Sequence, residues 1–177
     1  MKIRSCLILI LAFVMLLGIT ACSARQADAP SGMIRLSNDY VDYNMFVPEA
    51  WTIITDENTS YLSAYFNERD RSNITVTAFE VEKTYASLDE FWADYEAEFQ
   101  STFSDMEYSA NERMLLDQHE AKAVEYTATV TGVKYKYMQI VCVRGTTAYL
   151  ITYTATEENY DDHIDTIWAV INEFSFK

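Results

Sequence analysis

Glycine, proline, cysteine and histidine are all scarce in this chain, with four, two, three and two residues among 177. So few glycines, one of them (Gly18) in an apolar N-terminal run, leave no glycine-rich loop to cradle a phosphate. The two histidines, His119 and His163, lie in no recognisable motif, so no base is placed beside a nucleophile, and both read as ordinary polar surface residues. Cationic side chains are also few, 13 against 27 acidic ones for a net charge of −14, which makes nucleic acid and anionic lipid head groups poor partners. Cys6, Cys22 and Cys142 are too few and too unevenly placed for a disulfide framework.

The N-terminus is informative. Lys2 and Arg4 precede an apolar run from Cys6 to Ile19 that ends in Ile19-Thr20-Ala21-Cys22. A charged region, a short apolar region and small residues before a cleavage point make a secretory signal, and the run is shorter than the roughly 20 residues a spanning helix needs. The last four residues resemble the lipobox of bacterial lipoproteins, in which the chain is cut before the cysteine and that cysteine carries the lipid. On this reading residues 1–21 are a signal peptide, Cys22 is lipidated, 22–33 form the lipidated cysteine and a flexible Pro/Gly-punctuated tether, and 34–177 are one domain. Loss of Lys2 and Arg4 makes the mature net charge −16, so lipid rather than protein charge holds the domain to the extracytoplasmic face of the cell membrane. One acyl chain binds marginally, so stable attachment implies more than one.

Residues 121–156 read as three consecutive antiparallel strands with turns at Thr131-Gly132 and Arg144-Gly145-Thr146. Val124, Tyr126, Ala128 and Val130 alternate with polar residues along the first. The second carries Tyr135, Tyr137, Val141 and Val143 on one face and Met138, Ile140 and Cys142 on the other, so it needs cover on both sides. Cys142 is therefore expected to be a buried, inert thiol. In the third, Tyr149, Ile151 and Tyr153 oppose Ala148, Leu150 and Thr152. A two-residue first turn sets Tyr126 opposite Tyr137, and a three-residue second turn then sets Tyr137 opposite Tyr153, a row of tyrosines on one face. Thr131 complicates the first turn, because a β-branched residue resists the positive φ of a type I′ turn and a bulge there would shift the pairing.

Earlier short strands are expected at Tyr40 to Val47, stopped by Pro48, then at Trp51 to Ile54, Tyr61 to Phe66 and Ile74 to Val81, with Met114-Leu115-Leu116 as an edge strand. Ser87-Leu88-Asp89-Glu90 is a capping box opening a helix whose Leu88, Phe91, Trp92, Tyr95, Phe99 and Phe103 recur at helical spacing. Tyr160, Ile164, Ile167, Trp168, Ile171 and Phe174 mark a second helix of about fourteen residues. Asp161 and Asp165 share a face of it, but without the glycine-containing loop of an EF-hand they read as a solvated face favoured by the helix dipole, not as a metal site. The fold class is thus α+β: an antiparallel sheet of six or seven strands, ending in a meander, packed between helices.

Phe46-Val47-Pro48-Glu49-Ala50-Trp51 resembles the strand–Pro–x–x–Trp opening of PsbP-like proteins, and the chain is also similar to the bacterial DcrB-type lipoproteins. The likeness extends through Ala121-Lys122-Ala123-Val124-Glu125-Tyr126, Tyr149-Leu150-Ile151-Thr152-Tyr153-Thr154-Ala155 and Ile171-Asn172-Glu173-Phe174-Ser175-Phe176. It rests on core residues, and so implies a fold and accessory or binding work at an envelope or protein complex, with no active-site residues to carry over. The resulting expectation is a membrane-anchored extracytoplasmic lipoprotein acting as a non-catalytic binding or accessory domain for an envelope protein or a small ligand, with no cofactor. A second reading is a small-molecule carrier with a pocket between sheet and helix lined by Tyr126, Tyr137 or Tyr153. The third, a carboxylate-based envelope hydrolase, finds no selected acid pair.

The lipoprotein reading is tested at Cys22. Replacing Cys22 with Ala should leave the chain uncleaved or released, without the wild type's partitioning into detergent; unchanged mass and partitioning would end it.

Overall fold

The computed structural model describes residues 29–54 and 59–177, so the expected signal peptide, Cys22 and the expected tether up to residue 28 lie outside the described residues. Among the described residues ten strands and two helices follow one another as β1 (Met33–Leu36), β2 (Tyr43–Pro48), β3 (Thr52–Ile53), β4 (Tyr61–Tyr65), β5 (Asn73–Glu80), α1 (Leu88–Gln100), β6 (Glu107–Leu116), β7 (His119–Val130), β8 (Val133–Arg144), β9 (Thr147–Thr156), α2 (Tyr160–Glu173) and β10 (Ser175–Phe176). They form a seven-stranded sheet in the order β3-β4-β5-β9-β8-β7-β6 and a three-stranded sheet β1-β2-β10, with every pairing antiparallel. The α+β class read from the sequence is the class observed.

The large sheet carries a core on each face because β8 is apolar on each face. On one side Met138, Ile140 and Cys142 join Ile74, Val76, Tyr149, Ile151 and Tyr153 beneath the small sheet and α2, which contribute Tyr43, Met45, Val47, Ile167, Val170 and Ile171. Tyr43 also donates its hydroxyl to the Val76 carbonyl at 3.0 Å, tying the small sheet to the large one. On the other side Val124, Tyr126, Tyr137 and Val141 lie beneath α1, whose Leu88, Phe91 and Trp92 are buried. Cys142 is wholly buried, and burial pushes its thiol up to about 11, so the thiolate a reactive cysteine needs is suppressed.

Both helices start where the sequence places them. The Ser87 hydroxyl accepts from the Glu90 amide at 3.2 Å, while the Glu90 carboxylate reaches past the cap to the Ala86 amide at 2.8 Å, a capping box displaced by one residue. Along α1 the rings of Phe91, Tyr95 and Phe99 stack in succession with centroids 5.5 Å apart. Phe103 lies beyond the helix end yet still packs on Phe99 and Tyr137.

The meander has the expected strands but a different second turn. Thr131 and Gly132 have φ of 50° and 83°, so Thr131 does adopt the type I′ conformation, and Tyr126 pairs with Tyr137. After β8, however, Gly145 takes φ of 59° and Arg144 pairs directly with Thr147, which makes a two-residue turn of Gly145-Thr146. The expected three-residue turn is therefore corrected, and Tyr137 stands opposite Thr154 while Tyr153 stands opposite Met138. Side chains alternate along a strand, so this one-residue change puts Tyr153 on the face opposite Tyr126 and Tyr137.

Thr131 generates a stability test. Asn tolerates left-handed backbone better than a β-branched residue, so Thr131→Asn should raise the urea-unfolding free energy by about 0.5–1 kcal/mol; a fall would show that the threonine side chain contributes more than its backbone costs.

Candidate functional site

The proposed tyrosine lining divides between two cores. Tyr126 and Tyr137 stack at 4.7 Å with planes 7° apart, and Phe99 meets the Tyr126 ring edge-on at 4.9 Å. Burial raises both hydroxyls. Aromatic side chains from α1 and the segment after it fill the space above them, so this pair is core and not a pocket wall. Tyr153, beneath α2, donates to the Tyr160 carbonyl at 2.9 Å and packs on that ring at 4.9 Å. Its role is to pin the start of α2.

Open space lies beside α1 instead. The helix covers β7, β8 and the Ala148 and Leu150 side chains of β9, and beyond it the same sheet face carries the hydroxyl side chains of Ser63, Thr75 and Thr152. Ser63 and Thr75 share a 2.8 Å hydrogen bond; in the same rung Gln139 donates to Thr152 at 3.2 Å and accepts from the Tyr95 hydroxyl at 3.2 Å. This polar row passes from the open half of the sheet to the flank of α1. Burial pushes Tyr95 up to about 12, with the Gln139 bond partly opposing it, so the hydroxyl stays a donor.

At that flank, between α1 and the segment following β5, is a cleft of about 630 Å³. Its aromatic walls are Phe79, Tyr85, Phe91 and Tyr95, and Glu82, Asp94 and Glu98 supply carboxylates; Glu80 also borders it but, as the strand neighbour of Phe79, turns its side chain to the other sheet face. Lys83 is the one cationic residue of the lining. Its ammonium lies 2.8 Å from Asp94, 3.8 Å from Glu90 and 4.8 Å from the centre of the Tyr85 ring. The hydrogen bond to Asp94 raises the lysine and lowers the aspartate.

Two polar constellations elsewhere are accounted for by folding. At the turn end of β8 and β9, a cleft of about 570 Å³ is lined by Asp42, His119, Arg144 and Tyr149. Tyr149 donates to Asp42 at 2.5 Å, Arg144 lies 4.0 Å over the Phe176 ring, and His119 packs on the same ring at 5.0 Å. With the Phe176 amide donating to Asp117 and the Lys177 amide to the Asp42 carbonyl, these groups clasp β10 in place. The other constellation joins α2 to the loop before β5: His163 Nε2 lies 2.7 Å from Asp70, which also accepts from the Ser72 hydroxyl at 2.6 Å. His163 is only 8 % exposed, against Phe66 and Trp51, and His119 is half-buried, so the expectation of two surface histidines is corrected. Sequence reading missed the pair because its partners are 93 residues apart and no local pattern connects them. An aspartate orients the imidazole, but the nearby serine bonds the carboxylate and not the ring, so the arrangement lacks the nucleophile of a catalytic triad.

Among the described residues no three His, Cys, Asp or Glu side chains are gathered in a way that would hold a metal ion, and Asp161 and Asp165 form no such group. Nor is any helix among them long and apolar enough to cross a membrane.

No family model matches the sequence, and no curated protein matches it. Solved structures do. A cyanobacterial PsbP from Synechocystis is similar with a TM-score of 0.61 and 16% identity, covering 85% of this chain and 96% of that one. A protein of unknown function from Pseudomonas aeruginosa, PA94, described as a putative regulator, gives 0.60 at 12% identity over 82% and 97%. LpqN of Mycobacterium tuberculosis, described as involved in cell envelope biogenesis, gives 0.60 at 10% identity over 76% and 83%. At such identities the likeness is one of fold, and the fold is PsbP-like.

The His163–Asp70 pair predicts an acid dependence. Burial alone would raise the Asp70 carboxyl, but hydrogen bonds from Ser72 and His163 outweigh it and hold it at about 2. A carboxyl lowered by folding stabilises the folded chain above its ordinary value of 3.8, and the contribution is lost as pH falls toward the folded value. Asp70→Asn should cost roughly 1–3 kcal/mol at neutral pH and flatten the acid limb of the stability profile from the ordinary 3.8 down to about 2. An unchanged acid limb would remove Asp70 from that role.

Proposed function

We propose that this chain is a lipid-anchored, non-catalytic binding or accessory domain at the extracytoplasmic face of the cell membrane, held there through Cys22. The observation that carries the binding reading is the cleft beside α1, an open cavity with aromatic walls on a fold whose other polar clusters serve folding. The PsbP-like fold supports the accessory part of the reading, since the similar structures include a PsbP and an envelope-biogenesis protein. The lipobox-like Ile19-Thr20-Ala21-Cys22 supports the anchor.

Small-molecule carriage is a second reading favoured by the same cleft, whose volume lies within the roughly 300–1,000 Å³ usual for small-ligand sites. It keeps the expected position between sheet and helix but exchanges the lining: Tyr85, Phe91 and Tyr95 stand in place of Tyr126, Tyr137 and Tyr153.

Extraction of the full chain from its native membrane in a non-ionic detergent separates the two. An accessory domain should bring one envelope protein with it in fixed ratio; a chain that emerges alone at every salt concentration, yet with a small molecule bound, would overturn the accessory reading and leave carriage.

A further inference from the structure

We propose that the cleft beside α1 binds a small aliphatic polyamine, and that Lys83 occupies its ammonium subsite in the ligand-free chain. This rests on the reading of the cleft as a binding site. Three carboxylates and a single ammonium line a cavity whose remaining walls are Val81 and aromatic rings. An anion is repelled there, and a neutral apolar ligand would desolvate carboxylates without partnering them. An ammonium group meets both wall chemistries at once, the ring faces through cation–π attraction and the carboxylates through charge-assisted hydrogen bonds.

Lys83 shows the subsite in use. Its ammonium sits at 4.8 Å from the Tyr85 ring centre while held 2.8 Å from Asp94, with Glu90 at 3.8 Å. It reaches this place from the exposed segment between β5 and α1, which has no regular secondary structure. The lysine side chain is half exposed, so its ion pair is screened by water and easily exchanged for that of an incoming amine. Glu82 and Glu98 remain for further ammonium groups of the same ligand. The methylenes between those groups are suited to Phe79 and Phe91. A polyamine therefore fits the lining better than a monoamine, and a primary ammonium better than a quaternary one, which cannot donate to Asp94.

The test is titration of spermidine into the full chain in maltoside micelles by calorimetry, with the tetramethylammonium ion as the non-donating comparison. Wild type should bind spermidine saturably and more tightly than tetramethylammonium. Lys83→Met, which empties the subsite, should tighten spermidine binding about five- to tenfold, the scale of one exchanged surface ion pair with its ring contact. Lys134→Met makes the same change in net charge at the opposite end of β8, where Lys134 pairs with Glu157, and should alter affinity less than about twofold. Tyr85→Ala in the Lys83→Met background should reverse most of the gain. Equal gains from Lys83→Met and Lys134→Met would show a general charge effect and overturn the subsite. Absence of saturable binding in both wild type and Lys83→Met would overturn the ligand class, while a co-purified envelope protein would leave the accessory reading standing.

Discussion

A strand that is apolar on both faces sets the terms for the whole domain. Six consecutive residues of β8, from Tyr137 to Cys142, are buried, and they point alternately into two cores. Fully burying a side chain of this size is worth about 1.5–3 kcal/mol. Leaving either face of the strand and its neighbours open would thus forfeit an amount comparable to the ~5–15 kcal/mol that a domain has in total. Helix α1 on one side, and α2 with the three-stranded sheet on the other, are consequences of that one strand. Even the closing strand follows, since β10 is only two residues long and is retained by the Phe176 and Lys177 contacts beneath the β8–β9 turn.

Period-two alternation made the meander legible residue by residue. Within each of β7, β8 and β9 the division of side chains into two faces agrees with the two cores, although the matching of faces between β8 and β9 does not, and the start of α1 could be placed from four residues because a capping box is a local device. What alternation does not contain is the length of a turn. Arg144-Gly145-Thr146 offers two- and three-residue solutions, and the choice falls to the backbone of Gly145, whose positive φ closes the chain in two. The error moved Tyr153 to the other core without disturbing any strand boundary. Register between strands is thus more fragile to sequence reading than the strands themselves.

Sites follow the same division between local and distant. Tyr95 was visible as part of an aromatic stripe, and the stripe was rightly read as packing for most of its members; its hydroxyl meeting Gln139, 44 residues away, required the fold. Lys83 and Tyr85 belong to a connecting segment without periodicity, so neither stood out. His163 and Asp70, like Tyr149 and Asp42, are separated by about a hundred residues and become partners only when the strand order is known.

The position of the cleft has a geometric origin. Seven strands spaced ~4.8 Å apart span about 30 Å from first to last, whereas a helix with its side chains is ~10 Å wide. The face against α2 escapes this mismatch because a second sheet shares the work of covering it. The face against α1 does not, and one helix there can shield only two or three strands. The sequence answers by placing Tyr126, Tyr137 and Val141 under the helix and Ser63, Thr75 and Thr152 beyond it, where Ser63 and Thr75 satisfy each other and Thr152 accepts from Gln139. The boundary must fall beside β8, since its Val141 and Tyr137 need cover while Thr152 on β9 does not. Gln139 sits on that boundary and bonds to both sides. A cavity walled by Phe91, Asp94, Tyr95 and Glu98 of the helix on one side and by Phe79, Glu82, Lys83 and Tyr85 of β5 and the loop after it on the other is what such a boundary leaves.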